Sequence, residues 1–193
     1  MNITSENEYR FAQIKAVMLF ILKSFPSGVD FIKLYKIMYF AQKKFLSQYG
    51  KIIFDDSFVA KKLGPVPYYT HDAIHAQSNG KVPENKEISS FLLNGVSVND
   101  NCVRANQEPN VDYISVKARQ ILNETIEKCK DIDSMTLSDI SHDSAYDEAE
   151  ARYQKNHADN KLSLTEIAKA GGASPDLIEY IQTKIAIKKA FAV

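Results

Sequence analysis

The chain has 193 residues, of which 45% are hydrophobic and 25% charged, and its 24 basic and 24 acidic residues cancel at neutral pH. This composition predicts a single globular domain over 1–193, and a zero net charge argues against general attraction to nucleic acid or anionic membranes. Residues 16–22 form the longest apolar run, far short of the roughly 20 residues that cross a bilayer. Cys102 and Cys129 have no partner at metal-ligand spacing, which favours free thiols in a reducing cytoplasm.

The first third of the chain predicts two helices separated by a short break. Residues 7–24 have an apolar face, and the Phe-Pro-Ser-Gly sequence at 25–28 would end that helix. Apolar residues then recur at helical spacing over 31–49. Asp30 stands where a carboxylate can cap the N-terminus of this second helix, and Gly50 suits a left-handed C-terminal cap.

The second helix carries a stripe of lysines opposite its apolar face. Phe40 lies within this stripe, where simple amphipathicity predicts a polar residue. One interpretation is that the helix is buried on two sides and the lysine stems reach past apolar neighbours to water. The other is a partner-binding face, because aromatic residues beside long charged side chains are typical of interfaces. The lysines of the stripe are Lys33, Lys36, Lys43, Lys44 and Lys51.

The segment after this helix predicts an extended stretch and a corner. Residues 52–54 are strand-like but too few to distinguish a strand from an extended linker. Residues 55–57, Asp-Asp-Ser, are typical of a turn. The Gly-Pro-Val-Pro sequence at 64–67 excludes a helix interior, so we expect the chain to turn there and a helix to begin after Pro67.

Residues 33–74 contain a recognisable pattern: Lys-Leu-x-Lys, an apolar residue, Tyr-x-Ala-Gln, a glycine, an aromatic-containing extended segment and Gly-Pro-Val. This pattern resembles the opening motif of Panacea-domain proteins, the SocA-like antitoxins of bacterial toxin–antitoxin systems. Further along, such proteins have a Trp after a Ser/Thr-His pair, whereas this chain has Tyr146 after Ser141-His142. The residues that carry the resemblance are Lys33, Leu34, Lys36, Ile37, Tyr39, Ala41, Gln42, Gly50, Phe54, Phe58, Gly64, Pro65 and Val66.

The resemblance implies a motif core at 28–75 and an antitoxin that is not an enzyme and needs no cofactor. Its partner would be a cognate toxin, encoded by a neighbouring gene, which it either inhibits directly or hands to a protease as an adaptor. We expect the contact surface on the central helix and the Gly-Pro corner, where the motif coincides with the misplaced aromatic residue. The expected partner-binding residues are Lys33, Lys36, Tyr39, Phe40, Gln42, Lys62, Gly64, Pro65 and Val66.

A third helix is predicted just after Pro67, and it contains two histidines. His71 and His75 are four residues apart, so they share a helical face as in metalloprotease helices, although Asp72 replaces the usual glutamate. A zinc site needs at least a third protein ligand, and none stands at motif spacing. The sequence therefore predicts two ordinary histidines and no metal.

The middle of the chain predicts a loop, a hairpin and a helix. Residues 79–87 are polar and predict a loop. Alternating valines on either side of an Asn-Asp-Asn turn predict a β-hairpin at 95–106. Residues 115–130 have a regular apolar side and predict a helix that Ser115 caps. The elements together predict an α+β fold, mainly α, with one small hairpin or short antiparallel sheet.

The C-terminal portion, 131–193, is predicted to be helical, and its first part is acidic. Residues 131–150 contain seven acids and no Lys or Arg, with short helices expected at 136–140 and from Ala145 onward. Such a run is typical of a solvated face. It could also complement the lysine stripe of the same chain or a basic partner.

Residues 162–185 suggest a helix-turn-helix and therefore a competing function, a DNA-binding regulator. Small residues and Gly172 suit the close packing and the turn, and Ser174 can cap the second helix. That helix begins with Pro-Asp and has no basic residue before Lys184. Proteins that read DNA place hydrogen-bond donors near the start of the recognition helix and basic residues near the phosphates. DNA binding is therefore not expected, and an enzyme without recognisable motifs is a third, lesser alternative.

Overall fold

The computed structural model describes residues 5–157 and 159–191, and within them the fold is α+β, mainly α, as predicted. The helices are α1 (Ser5–Lys23), α2 (Phe31–Tyr49), α3 (Tyr68–Ser78), α4 (Lys86–Leu93), α5 (Val116–Cys129), α6 (Ser134–Ile140), α7 (Ser144–Lys155), α8 (Leu164–Ala170) and α9 (Pro175–Phe191). The strands are β1 (Val29–Asp30), β2 (Phe58–Lys61), β3 (Gly64–Pro67), β4 (Val96–Asn99) and β5 (Cys102–Ala105). Within these described ranges, no helix combines the length and the apolar character that crossing a membrane requires.

Helix α2 is the centre of the fold, and both its bounds and its caps are those predicted from the sequence. The Asp30 carboxylate accepts hydrogen bonds from the N–H groups of Ile32 and Lys33. Gly50 has φ 61° and donates its N–H to the Leu46 carbonyl. Helices α1, α5, α6 and α8 and strand β3 all pack against α2. Because α2 is covered from several directions, an amphipathic pattern alone does not describe its surroundings.

One hydrophobic cluster joins the beginning of the chain to its end. It includes Phe11 on α1, most of the buried face of α2, and Ile181 on α9. The predicted break after the first helix is present, and it brings the chain back so that α1 packs on α2. Elements far apart in sequence therefore share one core.

The predicted hairpin at 95–106 is confirmed as strands β4 and β5, with Val98 opposite Val103. Strand β1 extends the hairpin to a three-stranded antiparallel sheet in the order β1-β5-β4. Val29 pairs with Val103 across this extra junction. The addition of β1 was not predicted, because two residues are too few to show a strand period.

A second hairpin, β2–β3, occupies the position where the sequence predicted only a corner. Its turn is at 62–63, and Val59 lies opposite Val66. Residues 52–54 form an extended linker rather than a strand. Pro65 and Pro67 are tolerated because a strand paired on one side does not need every backbone donor. Helix α3 starts directly after Pro67, as expected.

Strand β2 is also paired on its other side, by residues 159–162, which we call the strap. The Ala60 N–H donates to the Asn160 carbonyl at 2.8 Å, and the Leu162 N–H donates to the Phe58 carbonyl at 2.9 Å. Arg152 fixes the strap by donating to the Lys161 carbonyl at 2.5 Å. The strap thus closes a strand edge with residues about 100 positions away in sequence.

Helix α4 corrects the prediction for the segment before the hairpin. The sequence predicted a polar loop over 79–87, but α4 begins at Lys86, and Asn85 caps it by accepting from the Ile88 N–H. Ile88 and Leu92 are buried four residues apart, and two apolar residues are too few to reveal a helical period from the sequence alone. Helices α5, α6 and α7 appear close to their predicted positions.

Candidate partner-binding site

The nine residues predicted to contact a partner divide into two groups in the structure. Lys33 and Phe40 are half-buried on α2, and Lys62 is exposed at the tip of the β2–β3 hairpin. The other six are buried inside the chain, where they pack between α2, the hairpin and the linker that follows α2. They are Lys36, Tyr39, Gln42, Gly64, Pro65 and Val66.

Lys36 lies in the interior, with 0% of its side chain exposed. Its Nζ donates a hydrogen bond to the Pro65 carbonyl at 2.9 Å. In the part of the chain that the structure describes, no carboxylate forms an ion pair with it. Burial lowers the pKa of Lys36 to about 7, since an unpaired ammonium is costly away from water. This lysine therefore acts as an internal clamp on β3 rather than as a surface charge.

Gly64 is the position where the hairpin approaches its neighbours most closely. Its φ of +90° disfavours any other residue, and an added Cβ would overlap Ser141 Oγ and lie 2.8 Å from Lys36 Nζ. Two further contacts fix the turn from the side of α6 and α7. Ser138 Oγ donates to the Leu63 carbonyl at 2.8 Å, and the Tyr146 hydroxyl donates to the Lys61 carbonyl at 3.2 Å.

Asp143 connects the acidic segment to the lysine stripe. The Tyr39 hydroxyl donates to its carboxylate at 2.9 Å, and Lys43 Nζ lies 2.6 Å from it. The same carboxylate caps α7 by accepting from the Ala145 N–H at 3.1 Å. Burial, reinforced by this carboxylate, raises the pKa of Tyr39, which remains a neutral donor. One acid of the segment is therefore half-buried, and it pairs with the stripe of its own chain.

The remaining polar residue of the motif, Gln42, holds the linker that follows α2. Its Oε1 accepts from the Ile53 N–H at 2.9 Å, and its Nε2 donates to the Phe54 carbonyl at 3.2 Å. An amide side chain suits this position because it can satisfy one backbone donor and one acceptor at once. Gln42 is thus structural within the described chain.

Asp56 performs a similar task at the start of α3. Pro67 cannot cap this helix, and the Asp56 carboxylate accepts from the N–H groups of Tyr69 and Thr70 at 2.9 and 3.0 Å instead. Burial raises the pKa of Asp56 to about 6, although those hydrogen bonds oppose the change. The predicted turn at 55–57 therefore includes a helix cap that the sequence pattern alone did not reveal.

The lysine stripe is largely engaged by neighbouring helices. Lys33 Nζ donates to the Lys130 carbonyl at 2.9 Å, and Lys44 pairs with Glu124 on α5. Phe40 is half-buried, with Lys43 Nζ 5.3 Å from its ring centroid. These contacts agree with the interpretation that α2 is covered on two sides, and they leave Phe40 partly open to a partner.

The outer side of α6 and α7, with the turn that precedes α6, exposes four acids and two apolar side chains. Met135 and Ile140 are 51% and 54% exposed. None of its four exposed acids forms an ion pair within residues 5–157 and 159–191. We call this surface the acidic face, and it consists of Asp131, Met135, Asp139, Ile140, Asp147 and Glu148.

The two histidines on α3 stack on each other, with ring centroids 5.2 Å apart. Burial lowers the pKa of His71 to about 4, so the ring is neutral at physiological pH. Across the described residues, no group of three or more His, Cys, Asp or Glu side chains is placed to hold a metal ion. A metal-free protein remains a prediction.

The architecture is that of a mainly helical α+β protein in which a polar motif locks a hairpin onto a central helix. The family model described as antitoxin SocA-like, Panacea domain, matches residues 34–147, more than half of the chain. The chain therefore belongs to the family of SocA-like antitoxins with a Panacea domain. The comparisons with curated proteins and with solved structures found no match.

Proposed function

We propose that this protein is a cytoplasmic antitoxin that neutralises a cognate toxin by binding it directly. The observation that carries the proposal is membership of the SocA-like antitoxin family over residues 34–147. The described residues also give no group of metal ligands that would suggest a metalloenzyme. The protein would act by occupying the toxin, without chemistry of its own.

The proposed contact surface is centred on Phe40 and the hairpin tip at Lys62, with Lys33 at its edge. These three side chains reach the surface, whereas the other six predicted residues are buried, and Lys36 among them joins α2 to the hairpin. A half-buried aromatic ring beside long cationic side chains has the chemistry of an interface hot spot. Truncating such a ring costs about 2 kcal/mol or more of binding free energy.

The test is to co-express the protein with the product of the neighbouring gene and to measure growth and co-purification. We expect wild type to protect and to form a complex, and Phe40→Ala and Lys62→Glu to weaken both. Phe20→Ala, another half-buried phenylalanine but on α1, and Lys81→Glu, an exposed lysine after α3, are matched controls that should protect fully.

Folded Phe40→Ala and Lys62→Glu variants that protect as well as wild type would show that the contact surface lies elsewhere. A wild type that neither protects nor co-purifies with its neighbour would refute the antitoxin proposal itself. Toxin that disappears only when a host protease is present would indicate delivery to that protease instead of direct inhibition.

DNA binding through α8 and α9 is the competing function. The two-helix geometry is present, and Ser174 caps α9 by accepting from the Leu177 N–H at 3.3 Å. However, the first turn of α9 exposes Asp176, and the first basic residue after it is Lys184. We expect only weak binding to duplex DNA that disappears with added salt. Tight, salt-resistant binding to the protein's own promoter would favour the regulator instead.

A further inference from the structure

The last part of α9 leaves apolar side chains in solvent. Ile181 is the one buried residue of this helix, whereas Ile187 and Phe191 are 52% and 83% exposed. From residue 180 to 191 there are three lysines and no acid. An exposed apolar surface bordered by charges of one sign is typical of a docking site.

The exposed apolar residues of α9 form a continuous stripe. At 100° per residue, Tyr180, Ile187 and Phe191 fall within about 40° of one another around the helix. Lys184 borders the stripe, and its Nζ lies 5.5 Å from the Tyr180 ring centroid. Positions 180, 184, 187 and 191 are separated by four, three and four residues, which is the spacing of a helix–helix seam. We call these four residues together with Lys188 the α9 stripe.

The body of the chain covers this half of α9 only loosely. Cavities of about 770 and 450 Å³ lie between α9 and the linker after α2, and Ile185 lines both. Lys188 and Asp55 form an ion pair at 3.8 Å across the gap, and both side chains are solvent-exposed. The stripe is therefore available to a second molecule.

The acidic face has the complementary chemistry. It presents Met135 and Ile140 among exposed carboxylates, and 131–150 contains no Lys or Arg. The α9 stripe presents Ile187 and Phe191 beside lysines. Both surfaces are exposed in the same molecule, so they do not satisfy each other within one chain. The net charge of zero means that two copies do not repel each other overall.

We infer that the α9 stripe of one copy docks on the acidic face of a second copy, and the reverse, to form a symmetric dimer. Apolar contacts between the two surfaces supply affinity, and the lysine–carboxylate pairs at their margins supply orientation. A reciprocal contact of this kind closes on itself, so two copies complete the assembly. The toxin takes no part in this contact.

The first test measures the mass of the isolated protein by light scattering and sedimentation up to about 100 μM, which detects a Kd of the same order. We expect the 21.8 kDa chain to double its mass in a concentration-dependent way. A chain that stays at the monomer mass over the whole range overturns the inference. A monomeric chain overturns the inference even if a separate experiment shows that the α9 stripe binds the toxin.

The second test is a charge exchange between the two surfaces. Lys184→Glu with Lys188→Glu makes the stripe acidic, and Asp139→Lys with Glu148→Lys makes the face basic. Each double variant alone should be monomeric, with Kd raised by about tenfold or more, because like charges then meet. An equimolar mixture should form a mixed dimer, since both of its contacts again join opposite charges. A mixture that stays monomeric, or double variants that dimerise like wild type, would place the contact elsewhere.

Matched controls separate these effects from general changes in charge or hydrophobicity. Glu87→Lys with Asp112→Lys changes the net charge by as much as Asp139→Lys with Glu148→Lys does, but at exposed acids outside both surfaces. Dimerisation should persist in this control. Phe191→Ala should weaken the dimer, whereas Val82→Ala, at a residue 72% exposed elsewhere, should not. Equal effects from the paired variants would show that no specific surface is involved.

Discussion

Replacing Lys36 by methionine tests whether the motif lysine is retained at the expense of stability. Methionine has similar length and no charge, so it removes the burial penalty of the ammonium and the hydrogen bond to the Pro65 carbonyl. The pKa of Lys36 is lowered from 10.5 to about 7, which corresponds to about 5 kcal/mol. A buried carbonyl that loses its donor costs about 1–3 kcal/mol. We therefore expect Lys36→Met to be at least as stable as wild type at pH 7.

The sign of the pH dependence follows from the direction of the pKa change. Between about pH 7 and 10.5 the unfolded chain keeps the Lys36 proton and the folded chain releases it. The contribution to stability is therefore complete above pH 10.5 and is lost as the pH falls through 7. From pH 7 to pH 9 the free energy of unfolding of wild type should rise by about 2 kcal/mol from this group. Lys36→Met should lack that rise.

The assay is denaturant unfolding at pH 7, 8 and 9 for wild type, Lys36→Met and the exposed control Lys62→Met. The comparison with Lys36→Met cancels the contributions of other buried groups, such as Asp56, whose pKa is about 6, and Cys129, whose pKa burial raises from 9.0 to about 11. Lys62→Met should keep the wild-type rise. If Lys36→Met shows the same rise as wild type, the ammonium is not the group that burial penalises, and the reasoning fails.

Three further predictions concern the glycine contact, the α3 cap and metal binding. Gly64→Ala should lower the free energy of unfolding by about 3 kcal/mol, because strain at positive φ adds to the overlap of the new Cβ with its neighbours. Gly80→Ala, also at positive φ but with open space around it, should lower the free energy of unfolding by only about 1 kcal/mol. Equal losses of stability in thermal unfolding would contradict the overlap at Gly64. Burial of Asp56 favours its protonated form, so its contribution to the free energy of unfolding is complete below about pH 4 and is lost as the pH rises through 6. In denaturant titrations, the difference in free energy of unfolding between wild type and Asp56→Asn should therefore fall by about 2 kcal/mol from pH 4 to 7. Elemental analysis should find no stoichiometric zinc at His71 and His75, and one metal per chain would refute this.

The sequence predicted α2 to the residue, because its periodicity, its Asp30 cap and its Gly50 cap are all local signals. The hairpin at 95–106 was predictable for the same reason. The β2–β3 hairpin was not, since Gly-Pro-Val-Pro forms a strand here by pairing with β2 and packing against α2. Propensity at this position is overridden by tertiary contacts.

The sequence identified the segment of chain that contains the site, but it did not show which residues of that segment are exposed. Lys36 looked like a member of an exposed basic stripe, and its burial depends on a carbonyl 29 residues away. Asp143 belongs to the acidic run, for which the sequence left open a solvated face, pairing with the lysine stripe of the same chain, or pairing with a basic partner. An Asp shortly before a predicted helix is also a recognisable cap. That local signal could have identified Asp143 as a helix cap. Its contact with Tyr39, across 104 residues, could not have been found from one sequence.

The strap has a practical consequence for how the protein can be divided. The family match ends at residue 147, but the partner of the β2 edge lies at 159–162. A fragment trimmed to 34–147 would lose Lys33 from the motif, and it would expose the Ala60 N–H and the Phe58 carbonyl on an open strand edge. Open edges recruit other chains and promote aggregation. The β2 edge is thus completed by residues outside the family match, and we expect a proteolytic cut before the strap to promote aggregation.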